Sequence, residues 1–233
     1  YRHRGRLSVI DRSIKKGTVL VGFHEHNSAY VADMSACEVI PKIISDLLIP
    51  LRELVGLLSI RDRVPQIEFA VGDSPNTPED RTKKHIALVI RHLLPLTKTD
   101  LDTLEDFAKQ HELGIWLQAG GPETAKPFYP SEQQMLYRLP EFGIEMPFLP
   151  TDFTQVNHAV NQVLVSKALS LLEIKSNERI IDLFCGIGNF TLPIATQAKE
   201  VLGIEGSAIL SKRAMQNATH NRLEQNTRFQ ESN

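Results

Sequence analysis

Cysteine is scarce: Cys37 and Cys185 are the only two among 233 residues. They lie far apart and neither has a CxxC partner, which excludes a disulfide framework and a self-sufficient metal site. No apolar run approaches the roughly 18 residues that cross a bilayer, and no basic-then-apolar leader opens the sequence, so no membrane association and a cytoplasmic location are expected. Charge of one sign is also missing. With 26 Lys and Arg against 28 Asp and Glu, the net charge is −2, so there is no protein-wide basic footprint, although a local patch could still meet RNA. Aromatic residues make up only 6%. What remains, 42% hydrophobic and 23% charged, is the composition of a globular protein with room for two modest domains. The chain opens at Tyr1 without Met and stops at Asn233 just after a strand-like run, which gives it the look of a fragment.

The first part reads as an α+β domain with an antiparallel sheet. Leu7 to Ile10, Thr18 to Phe23 and Tyr30 to Ala32 are β-favouring runs separated by polar turns, the pattern of a meander. Between Ile40 and Leu58, apolar residues recur at three and four positions, the stripe of a covering helix that Pro50 should kink or split. Strands are expected at Gln66 to Val71 and Ile86 to Arg91, with a hairpin-like loop from Gly72 to Lys84. A helix should start near Thr99, with Thr99 as cap and Asp102 in its first turn. Leu113 to Gln118 reads as a strand, the glycines and prolines from Gly120 to Pro130 as a long loop, and Gln134 to Arg138 and Gly143 to Met146 as two closing strands. The domains expected are 1–148 and 149–233.

Beyond Pro150 the pattern changes. A helix from Asn157 to Leu172 precedes strand Arg179 to Leu183, helix Phe190 to Gln197, strand Val201 to Glu205, helix Ser207 to Asn221 and strand Thr227 to Gln230. Strands that alternate with helices in this way make a parallel sheet, here a truncated Rossmann-like domain.

The densest signal lies at the first of these strands. Ile180 and Ile181 run into Asp182-Leu183-Phe184-Cys185-Gly186-Ile187-Gly188-Asn189-Phe190-Thr191, a strand, a glycine turn and a helix. Gly186 and Gly188 allow a tight turn and close approach of a ligand. Glu205 ends the next strand, where a carboxylate can accept both hydroxyls of a ribose. Thr191 stands where the third glycine of a dinucleotide fingerprint belongs, so a ligand without a pyrophosphate fits better than a nicotinamide dinucleotide. S-adenosylmethionine is such a ligand, with Asp182 near its charged amino-acid end. A Rossmann oxidoreductase is the rival reading, and a glycine turn that only joins strand to helix is the bland one.

The stretch from Asp182 to Pro193 closely resembles the first methyltransferase motif of the bacterial RNA uracil-C5 methyltransferases, and its Asn-Phe-Thr-Leu-Pro continuation is most like the 23S ribosomal RNA branch. Asp152-Phe153-Thr154-Gln155-Val156-Asn157 is similar to the family's Phe-x-Gln-Val-Asn segment. Tyr1-Arg2-His3-Arg4-Gly5-Arg6-Leu7-Ser8 is similar to the opening of its central domain. These three matches, in family order, cover essentially the whole chain. The resemblance implies S-adenosylmethionine-dependent methyl transfer to carbon 5 of a uridine in 23S rRNA by a monomeric protein. It further implies that Gln155, Phe184, Asn189, Glu205 and Asn233 contact the cofactor while Arg6 and Phe153 face RNA. Taken without it, Phe153 reads as core and Arg2, Arg4 and Arg6 as one solvated strand face. A non-catalytic RNA-binding module built on those arginines with Lys15 and Lys16, and a methyltransferase of the transfer-RNA branch, are the alternatives.

Carbon 5 of uracil is a poor nucleophile, so family members add a cysteine thiolate to carbon 6 and later remove the carbon 5 proton with a base. The resemblance places both groups beyond Asn233, so no catalytic residue is expected here, and Cys185 is not the nucleophile. It also sets Cys37 at the last of four cysteines that hold a [4Fe-4S] cluster in the 23S branch. The other three would precede Tyr1, so this sequence by itself is not expected to assemble the cluster. Read alone, Cys37 is a small buried hydrophobe.

Overall fold

A computed structural model describes residues 1–75 and 84–232. The expected loop after Gly72 and the cofactor contact expected of Asn233 therefore fall wholly or mainly outside the described residues. The chain forms two compact units: Tyr1–Gly72 with Lys84–Gln133, and a second that joins Asp73 to the chain from Gln134 onward.

The first unit is a sheet with helices on one face. Strands β1 (Arg4–Arg12), β2 (Thr18–Gly22), β3 (Gln66–Asp73), β4 (Lys84–Arg91), β5 (Gly114–Gln118) and β6 (Lys126–Tyr129) are ordered β2-β1-β3-β4-β5-β6. A single turn, α1 (Ser13–Lys16), joins β1 to β2 and ends on Gly17 in the left-handed region. Tyr30 to Ala32 does not make the expected strand and contributes one bridge, His24 to Val31. The sheet is mixed rather than purely antiparallel. Strands β4 and β5 run parallel, because helix α4 (Lys98–Gln110) carries the chain back between them. The expected covering helix is split into α2 (Lys42–Ser45) and α3 (Leu48–Leu57). The break falls before Pro50, which sits in the first turn of α3, where an amide hydrogen has no helical partner to lose.

Alternation decides which face is buried. Leu7 and Val9 on β1, Ile67 and Phe69 on β3 and Ile86, Leu88 and Ile90 on β4 pack against Leu48, Leu51 and Val55 of α3 and Leu104 and Phe107 of α4. Arg4 and Arg6 point to the other face.

The second unit contains a hairpin, β7 (Met135–Leu139) with β8 (Ile144–Phe148), whose strands pair antiparallel. Helix α5 (His158–Leu172) follows, capped by the Asn157 side chain on the Val160 amide. Strand β9 (Arg179–Leu183), helix α6 (Thr191–Ala195), strand β10 (Glu200–Glu205), helix α7 (Ala208–His220) and strand β11 (Thr227–Glu231) complete it. The sheet is wholly parallel, in the order β11-β10-β9. A boundary after residue 148 separates the hairpin from this sheet, whereas packing keeps the two together. Asn221, at the end of α7, exchanges hydrogen bonds with the main chain of Glu145 on β8 at 2.9 and 2.7 Å, and Tyr137 of β7 reaches Asn189.

Candidate functional site

Strand β9 delivers the chain to the sheet's carboxyl end, where three residues within five positions take left-handed backbone: Phe184 (φ 61°), Gly186 (φ 57°) and Gly188 (φ 96°). The two glycines differ in purpose. A Cβ on Gly186 would meet nothing within 4 Å, so its surface is open for a ligand. A Cβ on Gly188 would stand 3.3 Å from Leu192 Cγ and 3.8 Å from Ala214 Cβ, so here the lack of a side chain serves the packing of α6 and α7. Phe184 is the unusual member. It holds a conformation that costs a non-glycine residue on the order of 1–3 kcal/mol, and its ring is 88% exposed. An aromatic face held out in this way can stack on a flat ligand.

Glu205 fastens the turn from the tip of β10. Its Oε2 accepts the Gly186 amide at 2.9 Å and its Oε1 accepts the Ser207 amide at 3.0 Å. A carboxylate oxygen has two acceptor positions, so both oxygens keep capacity for a diol. Asp182 accepts the Thr191 hydroxyl at 2.6 Å, and burial pushes its carboxyl above the ordinary value in spite of that bond. Thr191, which occupies the third-glycine position, thus braces the turn. Cys185 is buried with Sγ against the main chain of Gly203. Burial first, and then the Asp182 and Glu205 carboxylates, push its thiol up to about 12, so it is no thiolate at neutral pH.

The side chain of Asn189 turns inward. Its Oδ1 accepts from Tyr137 Oη and Asn161 Nδ2, each at 2.8 Å, and its Nδ2 donates to Asn161 Oδ1 at 3.0 Å. Sequence reasoning missed Tyr137 and Asn161, because a pairing 52 or 28 positions apart leaves no local signal. It also missed Asp152, whose Oδ2 accepts the Leu149 amide at 2.8 Å and Arg213 Nε at 3.0 Å. That contact fixes the segment before α5, where Asp152 and Thr154 are buried while Phe153 and Gln155 are presented outward, Phe153 at 66% exposure. Phe153 is therefore not core.

In the first unit, Arg6 faces Glu68 across the β1–β3 ladder and donates to its Oε1 from Nε at 3.0 Å and Nη2 at 2.8 Å. Arg4 Nη2 stands 3.8 Å from the other oxygen. Cys37 is half-buried, and its amide donates to Ser45 Oγ. It is the one thiol of this unit, and among the described residues no group of three or more His, Cys, Asp or Glu could hold a metal ion. A four-iron cluster takes four thiolates or their equivalent, so the residues of this chain alone do not fit it. A cavity of about 460 Å³ in the second unit, lined by Leu139, Phe142, Gln162 and Lys167 among others, includes no residue of the glycine turn.

A parallel sheet with a glycine turn after its first strand and an acid at the tip of the second defines a Rossmann-type nucleotide-cofactor domain. The family model described as tRNA (Uracil-5-)-methyltransferase matches residues 133–230. A 23S rRNA (uracil(1939)-C(5))-methyltransferase RlmD of Polynucleobacter necessarius is 58% identical over 235 residues, covering 100% of this chain and 50% of that protein. The RlmD of Cupriavidus metallidurans is 57% identical over 229 residues, with 98% and 47% covered. The crystal structure of Pyrococcus abyssi tRNA (uracil-54, C5)-methyltransferase in complex with S-adenosyl-L-homocysteine superposes with a TM-score of 0.70 at 16% identity, over 100% of this chain and 55% of that one. Over its whole length the chain is similar to RNA uracil-C5 methyltransferases. It spans about half the length of the curated relatives it matches.

Proposed function

We propose that this chain is the cofactor-binding and RNA-facing part of a methyltransferase that transfers a methyl group from S-adenosylmethionine to carbon 5 of a uridine in 23S rRNA, in the cytoplasm. The observation that carries the cofactor assignment is the bond between Glu205 and the Gly186 amide, which sets a carboxylate beside an open glycine turn. S-adenosylmethionine would supply an electrophilic methyl group. Glu205 would accept the ribose hydroxyls, the open face of Gly186 would allow close approach, and Phe184 would stack on the adenine. Asp182 would lie toward the amino-acid end. Gln155, on the segment that Asp152 fixes, would complete the pocket.

Phe153 and Arg6 would face the RNA. An exposed aromatic ring can stack on an unpaired base, and a guanidinium can hold a phosphate or a base edge. Glu68 already occupies Nε and one hydrogen of Nη2 on Arg6, which leaves the outer edge of the fork for RNA. The 23S branch is favoured over the transfer-RNA branch by relatives at 57–58% identity. Cys185, with its thiol held protonated by burial, is not assigned as the nucleophile, which the resemblance places outside this sequence with the general base. A [4Fe-4S] cluster involving Cys37 would need ligands from outside these residues.

The test is calorimetric titration with S-adenosylmethionine, comparing the wild type with Glu205→Ala. Losing a charged acceptor weakens binding by roughly 10- to 100-fold. Equal affinity in a folded variant would reject the site.

A further inference from the structure

We propose that Tyr137 and Asn161 are positioning residues for the cofactor turn, acting through Asn189, and that Asn189 serves the cofactor through the shape of the turn rather than through its side-chain amide. The inference rests on the reading of the glycine turn as the S-adenosylmethionine site.

The argument is one of hydrogen-bond capacity. An amide oxygen has two lone pairs, and both of those on Asn189 are taken, by Tyr137 Oη and Asn161 Nδ2. One of its two amide hydrogens goes back to Asn161 Oδ1. A side chain so engaged has a single donor left to offer a ligand. Tyr137 and Asn161 are almost fully buried, at 3% and 2% exposure. Burial also pushes the phenol well above its ordinary range, so the hydroxyl remains a donor.

The position of the network explains its use. Asn189 follows Gly188 directly, and a turn with two left-handed glycines has little conformational preference of its own. Glu205 holds the turn at Gly186 and Thr191 braces it at Asp182. The network supplies a third fastening, from β7 and α5. Those two elements keep a separate connection, because Gln162 Nε2 on α5 donates to the Arg138 carbonyl on β7 at 2.9 Å. Removing the phenolic oxygen would therefore release the turn from β7 alone, leaving the Asn161 pair on Asn189, without parting the hairpin from the helix.

The experiment uses the intact protein. Tyr137→Phe, Asn161→Ala and Asn189→Ala are compared for S-adenosylhomocysteine affinity by calorimetry, for KM of each substrate, and for thermal midpoint. Tyr137→Phe is expected to bind the cofactor product 3- to 10-fold more weakly and to raise KM for S-adenosylmethionine, with KM for RNA unchanged. The double variant Tyr137→Phe, Asn189→Ala should be no weaker than Asn189→Ala alone, since both act at one point. Wild-type affinity in Tyr137→Phe, additive losses in the double variant, or an equal rise in both KM values would overturn the inference. A wild type that is folded and does not bind the cofactor overturns the site reading and this inference with it. If Glu205→Ala weakens binding as expected while Tyr137→Phe preserves it, the inference alone falls.

Discussion

The amide of Gly186 donates to Glu205 Oε2 at 2.9 Å, so the turn that leaves β9 is fastened to the tip of its neighbour β10. The register places Ile204 opposite Leu183, and the Cys185 amide continues the ladder to the Ile204 carbonyl at 3.1 Å. Glu205, still paired with Glu231 of β11, is thus the first residue of β10 past its pairing with β9, at the sheet's carboxyl edge. Sheet geometry, and not the turn alone, fixes the carboxylate.

Replacing the two glycines by alanine separates turn shape from ligand approach. Gly188→Ala combines a left-handed backbone with contact against Leu192, and loss of at least about 1–2 kcal/mol of stability is expected. Gly186→Ala carries a similar backbone cost but places its methyl in open space, on the side assigned to the ligand. Thermal unfolding should rank Gly188→Ala as the less stable, while titration with S-adenosylhomocysteine should show Gly186→Ala impaired even when folded. Unchanged affinity in Gly186→Ala would mean that no ligand approaches there.

Asp100 governs the acid stability of the first unit. Its carboxylate takes bonds from the Ser59 amide and hydroxyl and from the Thr97 amide and hydroxyl, at 2.6 to 2.8 Å. Burial opposes ionisation, yet these bonds prevail and its pKa lies at about 2. The folded value is below the unfolded one, so the contribution is fully present above about pH 4 and is lost as pH falls toward 2. Asp100→Asn should cost about 1–3 kcal/mol at pH 7 and less at pH 3. Denaturant unfolding at both pH values measures this, and an equal deficit at the two would contradict it.

The same residue shows where sequence reading stopped. A Thr-x-x-Asp spacing occurs twice in succession, at Thr97 with Asp100 and at Thr99 with Asp102. The spacing points to Thr99 as the cap, but the cap lies two residues earlier, at Thr97, in a reciprocal capping box with Asp100. The tie is broken by Ser59, which only the folded chain brings to Asp100. Strand β6 was hidden for another reason. Pro127 reads as loop, yet an edge strand tolerates proline because one of its sides has no strand partner among the described residues. Strand β9, the glycine turn and the place of Glu205 were legible, since a buried strand, special backbone and an acid at a strand end are all local. Tyr137, Asn161 and Asp152 act over long separations and left no such trace.

The two cysteines should differ in reactivity. Cys185 is buried, with its thiol pushed up to about 12, so at pH 8 only about one molecule in ten thousand carries the thiolate. Cys37 is partly exposed. Brief alkylation at pH 8 of the 233-residue polypeptide, mapped by mass spectrometry, should label Cys37 and spare Cys185 until the protein is unfolded. Comparable labelling of both in the native state would show that Cys185 is accessible and ionised, and would reopen a nucleophilic role.

Helix α5 inverts the usual pattern. It buries Asn161, Val165 and Leu169 but exposes Val160, Val163, Leu164, Leu171 and Leu172. Strand β9, at the edge of its sheet, exposes Ile181 at 62% and Leu183 at 60%. An edge strand whose outer side has no strand partner among the described residues, and which exposes apolar side chains, is a template for pairing with another chain. The 233-residue polypeptide on its own should therefore self-associate at micromolar concentration, in a manner that Ile181→Lys with Leu183→Lys suppresses. Sedimentation velocity of both forms decides the matter. A clean monomer of the wild type across that range would show that the exposed strand and helix are compatible with solution as they stand.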